Sequence, residues 1–300
     1  MANFQTDLTQ GSVSKNLIRF SLPFLLSNVI QALYSVADML IVGWFRGDEA
    51  ISGVSLGSQV TMLVTNLVIG FTVGGTVLIS QYFGAKKHKD VNESIGTLFS
   101  MLIIASILLT SIFIGFAKPI LNLLQTPAES YREAHSYLVI CLLGTIFIFG
   151  YNAVSSILRA LGDSKSPFWF VLIACIVNIG LDFLFIGAFN RSADGAALAT
   201  IIAQGISLVI SVIWLIKKGF SFDFKFKSFI PKGDKLLKIF KLGLPSSIQN
   251  TISSISFLLM TTLANNYGGD AELSEALVEA VLYCRSSEGN ACGLSVYYPI

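Results

Sequence analysis

The chain has 300 residues, of which 53% are hydrophobic and only 13% are charged, with a net charge of +2; soluble domains carry roughly 25% charged residues. So few charges cannot cover a soluble protein this apolar, which argues against a soluble enzyme, a disordered chain and a disulfide scaffold. The apolar residues form long continuous runs rather than the alternating pattern of membrane barrels. The composition therefore predicts an all-α polytopic membrane protein.

Seven apolar segments follow one another along the chain, and each exceeds the ~20 residues that a helix needs to cross a bilayer. They cover residues 16–45, 51–83, 94–117, 131–160, 167–189, 194–216 and 237–267. Short polar stretches separate most of them, and a long basic stretch at 217–235 precedes the seventh. Pro23 and Pro245 fall near the starts of the first and last segments, where a first-turn position is expected.

The distribution of Lys and Arg predicts the orientation in the membrane. With a cytoplasmic N-terminus, fifteen of these residues lie on the cytoplasmic side and four on the opposite side. The four are Arg46, Lys118, Arg132 and Arg191. We therefore expect a multi-pass plasma-membrane protein, of bacterial type, with its N-terminus in the cytoplasm.

A faint internal repeat divides the chain. Residues 15–48 align with 237–270 with six identities, among them Pro23 with Pro245. Six helices separate the two starts, so both segments cross in the same direction, as in transporters with parallel repeats. The predicted units are a cytoplasmic segment (1–15), a six-helix transporter lobe (16–216), a basic cytoplasmic linker (217–236), the first helix of a second lobe (237–270) and a tail (271–300).

The composition changes abruptly at about residue 271. The tail carries four Glu and has no apolar run long enough to span a bilayer. Apolar residues at helical spacing from Leu273 to Val281 predict a short amphipathic helix, and residues 294–298 resemble a soluble strand. We expect this soluble-type tail to mark a truncated or chimeric reading frame.

Two acids lie deep inside apolar helices, where a buried charge is costly and is usually functional. Asp38 lies within the first segment and Asp182 within the fifth, and neither has a Lys or Arg within several residues. Such carboxylates suit the uptake and release of a proton, or the binding of Na⁺ near Asp38. A structural acid that is satisfied by hydrogen bonds is the alternative.

Three neutral polar residues accompany the acids. Asn178 precedes Asp182 by four residues and so shares its helix face, Asn152 lies in the fourth segment and Thr200 lies early in the sixth. Each could help to coordinate an ion or a water molecule, although polar residues of this kind also join membrane helices to one another.

The sequence favours a transporter without a cofactor over an enzyme. It contains no GxSxG, P-loop or HExxH motif, and no Cys/His cluster typical of a metal site. The basic run at 217–241 is better explained by topology and anionic lipid head groups than by nucleic acid. The expected partners are therefore membrane lipids and small molecules.

Several local patterns resemble the multidrug and toxic compound extrusion (MATE) family over about residues 15–270. They are Ser21-Leu22-Pro23, Gln31-Ala32-Leu33-Tyr34-Ser35-Val36-Ala37-Asp38, Gln81-Tyr82-Phe83-Gly84-Ala85, Ile157-Leu158-Arg159-Ala160-Leu161-Gly162-Asp163-Ser164-Lys165-Ser166-Pro167, Asn178-Ile179-Gly180-Leu181-Asp182 and Gly195-Ala196-Ala197-Leu198-Ala199-Thr200.

The resemblance implies two parallel six-helix lobes, alternating access, and efflux of cationic amphipathic drugs driven by inward H⁺ or Na⁺. It also implies that an acid at the position of Asp38 is central to coupling. Positions that match Asn152, Asn178, Asp182 and Thr200 line the polar cavity of the N-terminal lobe in that family.

The chain departs from the family after Ala271, because a full member has twelve helices and this sequence predicts seven. Two other functions therefore remain open. One is a non-transporting membrane remnant that anchors a soluble tail. The other is a flippase of related architecture for lipids or lipid-linked sugars, for which a wider, basic cavity would be expected.

Overall fold

The computed structural model of the protein describes residues 13–217 and 229–267. Within these ranges the chain is helical and has no strand. The helices are α1 (Val13–Arg46), α2 (Asp48–Gly84), α3 (His88–Gly115), α4 (Ala117–Leu123), α5 (Tyr131–Leu143), α6 (Thr145–Ala160), α7 (Lys165–Asp182), α8 (Ala193–Lys217) and α9 (Gly233–Tyr267). A π-helix, Phe183–Ala188, continues α7. The predicted tail helix and strand lie outside the described residues.

Six of the seven apolar segments are confirmed as membrane spans by length and composition. Five single helices pass that test, and α5 and α6 together form a sixth span that is bent by 50°. The seventh segment also forms a helix, α9, but α9 is not among the helices that pass the test. Its apolar residues are interrupted by many Ser and Thr residues, which lower its mean hydropathy.

The bend in the fourth span is a difference from the single predicted helix. It falls at Gly144, where an added Cβ would lie 1.9 Å from the side chain of Ile201 on α8. The hydroxyl of Thr110 on α3 donates to the carbonyl of Leu142 at 2.9 Å, just before the bend. A side chain that inserts into the hydrogen-bond ladder is a known cause of helix kinks.

Several helices begin earlier than their apolar runs. The third begins at His88 rather than at residue 94, and α1 and α9 begin ten or more residues before Pro23 and Pro245. The first-turn prediction for these prolines was therefore wrong, since both lie inside a helix. The polar residues that flank an apolar run are themselves helical, so the edge of the run does not mark the helix end.

Helix α2 lies at the centre of the bundle and packs against α1, α3, α5, α6, α8 and α9. Its contact with α9 is very close: a Cβ on Gly70 would lie 2.1 Å from the backbone nitrogen of Ser247, and one on Gly74 would lie 2.6 Å from that of Gly243. Only glycine permits two backbones to approach in this way. Gly70 and Gly74 therefore serve the packing of α2 on α9.

Large apolar side chains cover the outer faces of the bundle. On α3, for example, Ile104, Ile107 and Leu108 are exposed. In a soluble protein a patch of this kind would be a site of association or aggregation. On a bundle of spanning helices it is the surface that contacts lipid, so the fold is that of a multi-pass membrane protein.

Candidate functional site

The two intramembrane acids are buried and lie near each other. Asp38 on α1 is 6% exposed, and Asp182, the last residue of α7, is 0% exposed. Their carboxyl groups are close enough to interact electrostatically. Helices α1 and α7 pack side by side, which brings the two acids together across 144 residues of sequence. The site therefore begins with two neighbouring carboxyl groups inside the bundle, whose charges would repel each other if both were ionised.

A small cavity lies beside this pair, between α1, α7 and α8. It has a volume of about 10 Å³ and is lined by Tyr34, Ala174, Asn178, Thr200, Ala203 and Gln204. This volume holds about one water molecule. Its polar lining residues belong to helices that carry the acids or pack against them, so the acids and the cavity form one polar region.

Three pairs of residues, each spaced by four, build this region. Tyr34 precedes Asp38 on α1, Asn178 precedes Asp182 on α7, and Thr200 precedes Gln204 on α8. Residues four apart lie on the same face of a helix. Each of the three helices therefore turns one polar face toward the others.

A hydrogen bond joins α7 to α8 within this region. The side-chain amide of Asn178 donates to the hydroxyl of Thr200 at 3.4 Å. The side-chain nitrogen of Asn178 is thereby used, whereas its side-chain oxygen has no hydrogen-bond partner in the described part of the chain. The bond is long, so it orients Asn178 more than it anchors the two helices.

Five buried side-chain oxygens of this region have no hydrogen-bond partner among the described residues. They are Oδ1 of Asp38, Oδ1 and Oδ2 of Asp182, Oδ1 of Asn178 and Oε1 of Gln204. All five are acceptors when the carboxyl groups are ionised. Buried polar atoms are normally paired, and an unpaired cluster calls for an explanation. These oxygens could be satisfied by a bound proton, by a water molecule that donates a hydrogen bond, or by a coordinated cation.

Four of the five sequence-predicted residues meet here: Asp38, Asp182, Asn178 and Thr200. Asn178 and Thr200 line the cavity, whereas the two acids lie one turn beyond Tyr34 and Asn178 and do not line it. The fifth, Asn152, lies on α6 and does not line the cavity either. It is half-buried on α6, and its amide donates to the carbonyl of Ile148, one turn earlier in the same helix, at 2.9 Å. The structure thus gives Asn152 a partner within its own helix rather than a place beside the acids.

Four residues of the region were not among those predicted from the sequence. Tyr34 and Gln204 line the cavity, and Tyr137 and Cys141 on α5 interact electrostatically with Asp38. A signal for the first two was present, because each lies four residues from a predicted site residue. For Tyr137 and Cys141 no such signal existed, since their proximity to Asp38 depends on how α5 packs in the bundle.

The oxygen atoms of this region are ligands that suit a proton or an alkali cation. Carboxylate, amide and hydroxyl oxygens are hard ligands, which favour hard cations over transition metals. Within residues 13–217 and 229–267, no group of three or more His, Cys, Asp or Glu residues is placed to hold a metal ion.

Membrane-spanning helices that bury acids in their interior are typical of polytopic membrane transporters, and the described part of the chain has both features. The model of the MatE family matches residues 23–184, more than half of the chain. The chain therefore belongs to the MatE family of multidrug efflux transporters.

Curated relatives agree with this assignment. The chain is similar to the probable multidrug resistance protein YpnP of Bacillus subtilis (strain 168), with 32% identity over 87% of this chain and 58% of that protein. It is also similar to the probable multidrug resistance protein NorM of Thermotoga maritima, with 28% identity over 86% of this chain and 56% of that protein. The chain thus spans a little over half the length of these relatives.

Solved structures show the same fold. A multidrug resistance MATE family transporter of the MOP superfamily in an outward-facing conformation aligns with a TM-score of 0.84 and 24% identity, over 95% of this chain and 62% of that one. For an inward-facing conformation of such a transporter, the TM-score is 0.74 and the identity 25%, over 82% of this chain and 57% of the other.

Proposed function

We propose that the chain acts in secondary active multidrug efflux, by antiport of organic cations against H⁺ or Na⁺. The observation that carries this proposal is the cluster of five unpaired acceptor oxygens around Asp38 and Asp182. The family assignment supports it, and so do the relatives, which are named as probable multidrug resistance proteins. Because the chain spans a little over half of those relatives, the activity of a whole transporter is part of the proposal.

Repulsion between the two carboxylates supplies the driving force for cation binding. No Lys or Arg lies within several residues of either acid in the sequence. Two buried charges of the same sign are unfavourable in a low-dielectric interior. A proton or Na⁺ bound between Asp38 and Asp182 relieves this repulsion and supplies the missing partner for their oxygens.

The same region suits an organic cation. An amphipathic cation needs a negative centre together with apolar or aromatic walls. Asp38 supplies the charge, and Tyr34 and Tyr137 supply aromatic rings close to it. A drug and the coupling cation would then compete for the same carboxylates, and binding of one would favour release of the other.

Alternating access requires two units that rock about such a site. We assign residues 16–216 to the first unit, 217–236 to a linker and 237–270 to the first helix of a second unit. Support comes from α9, which packs along α2 and repeats the length of α1 and the interior position of its proline. Asn152, on the neighbouring α6, is proposed to contribute to the wall of the wider cavity.

The first test is equilibrium binding, which needs no transport cycle. The full chain would be purified into lipid nanodiscs, and ethidium binding would be followed by its fluorescence at acidic and alkaline pH, with and without Na⁺. We expect one of the two cations to displace ethidium. Asp38→Asn should abolish that competition, because the amide keeps the shape of the side chain and removes its charge.

Asp48→Asn is the matched control. Asp48 is an exposed acid in the first turn of α2, and it is not among the residues that line the cavity. Its replacement should leave ethidium binding and its displacement unchanged. Cation-sensitive ethidium binding in Asp38→Asn equal to that of the wild type would refute the proposed role of Asp38. Efflux of ethidium from whole cells is the second measurement.

A further inference from the structure

The side chain of Arg46 ties the end of α1 to the end of the fifth span. Its guanidinium donates from Nη2 to the carbonyl oxygen of Ile186 at 3.0 Å and to Oδ1 of Asn190 at 2.9 Å. These partners lie 140 and 144 residues further along the chain. The side chain is partly buried rather than extended into solvent. The contact is therefore a built tertiary interaction between two spans.

The end of the fifth span offers an unusual acceptor for this contact. There the helix widens into the π-helix Phe183–Ala188 and ends. Two residues later, Asn190 adopts a left-handed φ of 57°. The N–H of Arg191 caps the carbonyl of Phe185 at 2.9 Å. Arg46 caps the next carbonyl, that of Ile186, with a positive charge at the negative end of the helix dipole.

Apolar contacts reinforce the same junction. Ile41 and Val42 of α1 belong to one buried cluster with Ile186. The rings of Phe45 and Phe183 meet edge to face, with centroids 6.2 Å apart. The last two turns of α1 are thus fixed against the π-helix by both apolar and polar contacts.

This junction lies next to the two acids. Asp182 immediately precedes the π-helix, four residues before Ile186, and Asp38 precedes Arg46 by eight residues, about two helical turns. The contacts at the junction set how far α1 is shifted along α7 and how it is rotated. Those two quantities decide whether the carboxyl groups of Asp38 and Asp182 face each other.

We propose that Arg46 is a positioning residue of the cation site, which holds Asp38 opposite Asp182 by joining α1 to the π-helical end of the fifth span. The inference rests on the proposed function of the two acids. Arg46 acts through the helix ends rather than through contact with the cation. The titratable groups that face Asp38 are those of Tyr34, Tyr137, Cys141 and Asp182.

The test compares Arg46→Gln, Arg46→Lys and a matched control, Arg191→Gln. Arg191 is half exposed and pairs with Asp194 three residues away, at the same end of the bundle. In nanodiscs, the displacement of ethidium by H⁺ and by Na⁺ gives the apparent affinity for each cation. The rate of backbone amide hydrogen exchange in residues 183–191 measures how stable the junction is, independently of ethidium or cation binding.

We expect Arg46→Gln to speed hydrogen exchange in residues 183–191 and to weaken the apparent affinity for the coupling cation by about tenfold, the usual effect of losing a residue that orients a ligand. The amount of ethidium bound at saturation should stay the same. Arg46→Lys should recover part of the affinity, because Lys keeps the charge and can donate to the Ile186 carbonyl. Arg191→Gln should match the wild type.

Two results overturn the inference separately from the proposed function. If the wild type shows competition and Arg46→Gln retains its full cation affinity, the positioning role is wrong while the cation site stands. Unchanged exchange in residues 183–191 shows that the contact itself does not hold the junction. If the wild type shows no competition between ethidium and either cation, the proposed function fails, and the positioning role with it.

Discussion

Lys235, near the start of α9, forms an ion pair with Asp90 of α3, 145 residues earlier in the chain. The Lys235 side chain is 4% exposed, and its ammonium group also donates to the hydroxyl of Tyr82 at 3.3 Å. Burial lowers the pKa of Lys235, but hydrogen bonds to Asp90, Tyr82 and Asp234 outweigh it and raise the pKa above its ordinary value of 10.5. The pair therefore stays charged at physiological pH and fastens α9 to α2 and α3.

Removal of Asp90 should loosen this attachment. Asp90→Asn leaves a buried ammonium group without its main partner, so we expect a lower free energy of unfolding. The partial exposure of Asp90 makes this loss smaller than that of a fully buried pair. Thermal unfolding in detergent measures the loss. Asp234→Asn is the control, because Asp234 is 62% exposed and 3.3 Å from the same ammonium group. Equal effects of the two replacements would contradict the assignment of Asp90 as the main partner.

Asp182→Asn should stabilise the protein while it damages cation binding. The carboxyl oxygens of Asp182 are buried with no hydrogen-bond partner among the described residues, and burial of an unpaired ionisable group costs stability. We expect the neutral amide to raise the free energy of unfolding by about 1 kcal/mol, as often happens at sites kept for function. Thermal unfolding and ethidium displacement, measured on the same sample, would show the two opposite effects.

Asp163→Asn provides the contrast to Asp182. The Oδ1 atom of Asp163 accepts hydrogen bonds from the backbone N–H groups of Lys165 and Ser166 at 3.0 Å, at the start of α7. Its role is structural, so its replacement should lower stability by up to about 1 kcal/mol and leave cation binding unchanged. If Asp182→Asn proved as destabilising as Asp163→Asn, Asp182 would be a structural acid instead.

Gly74→Ala should separate α9 from α2. The added Cβ would lie 2.6 Å from the backbone nitrogen of Gly243, where only the backbone itself can yield. We expect a loss of about 1–3 kcal/mol, the usual range for overpacking. Gly180→Ala, in α7, is the matched control, since, apart from its own neighbours in the helix, no atom of residues 13–217 or 229–267 lies within 4 Å of its Cβ position. That replacement should be neutral or stabilising. Limited proteolysis around residue 233 would detect the detachment of α9.

The sequence predicted the spans because long apolar runs are a physical requirement of the bilayer. It also predicted the buried acids, because an ionised side chain inside such a run stands out against its neighbours. The bend at Gly144 was not predictable, since α5 and α6 together have the composition of one continuous span. It depends on the approach of Ile201 and Thr110 from other helices.

The role of Arg46 was hidden for a similar reason. In the sequence it is one of four basic residues on the side opposite the N-terminus, and it served only to predict orientation. Its partners are a backbone carbonyl and an Asn side chain that lie 140 and 144 residues away. Only the packing of α1 on α7, and the widening of the helix after Asp182, bring them within reach.

A π-helix differs from an α-helix by one additional residue in a turn, so Phe183–Ala188 has the form of a single-residue insertion. Deletion of one codon here would leave the length and hydropathy of the span almost unchanged. Every later residue would nevertheless turn by about 100° around the helix axis. Asn190 would no longer accept the hydrogen bond from Arg46, and the segment that leads into α8 would start in another direction. Two homologous transporters with indistinguishable hydropathy profiles could therefore differ in whether the ends of their first and fifth spans are joined at all.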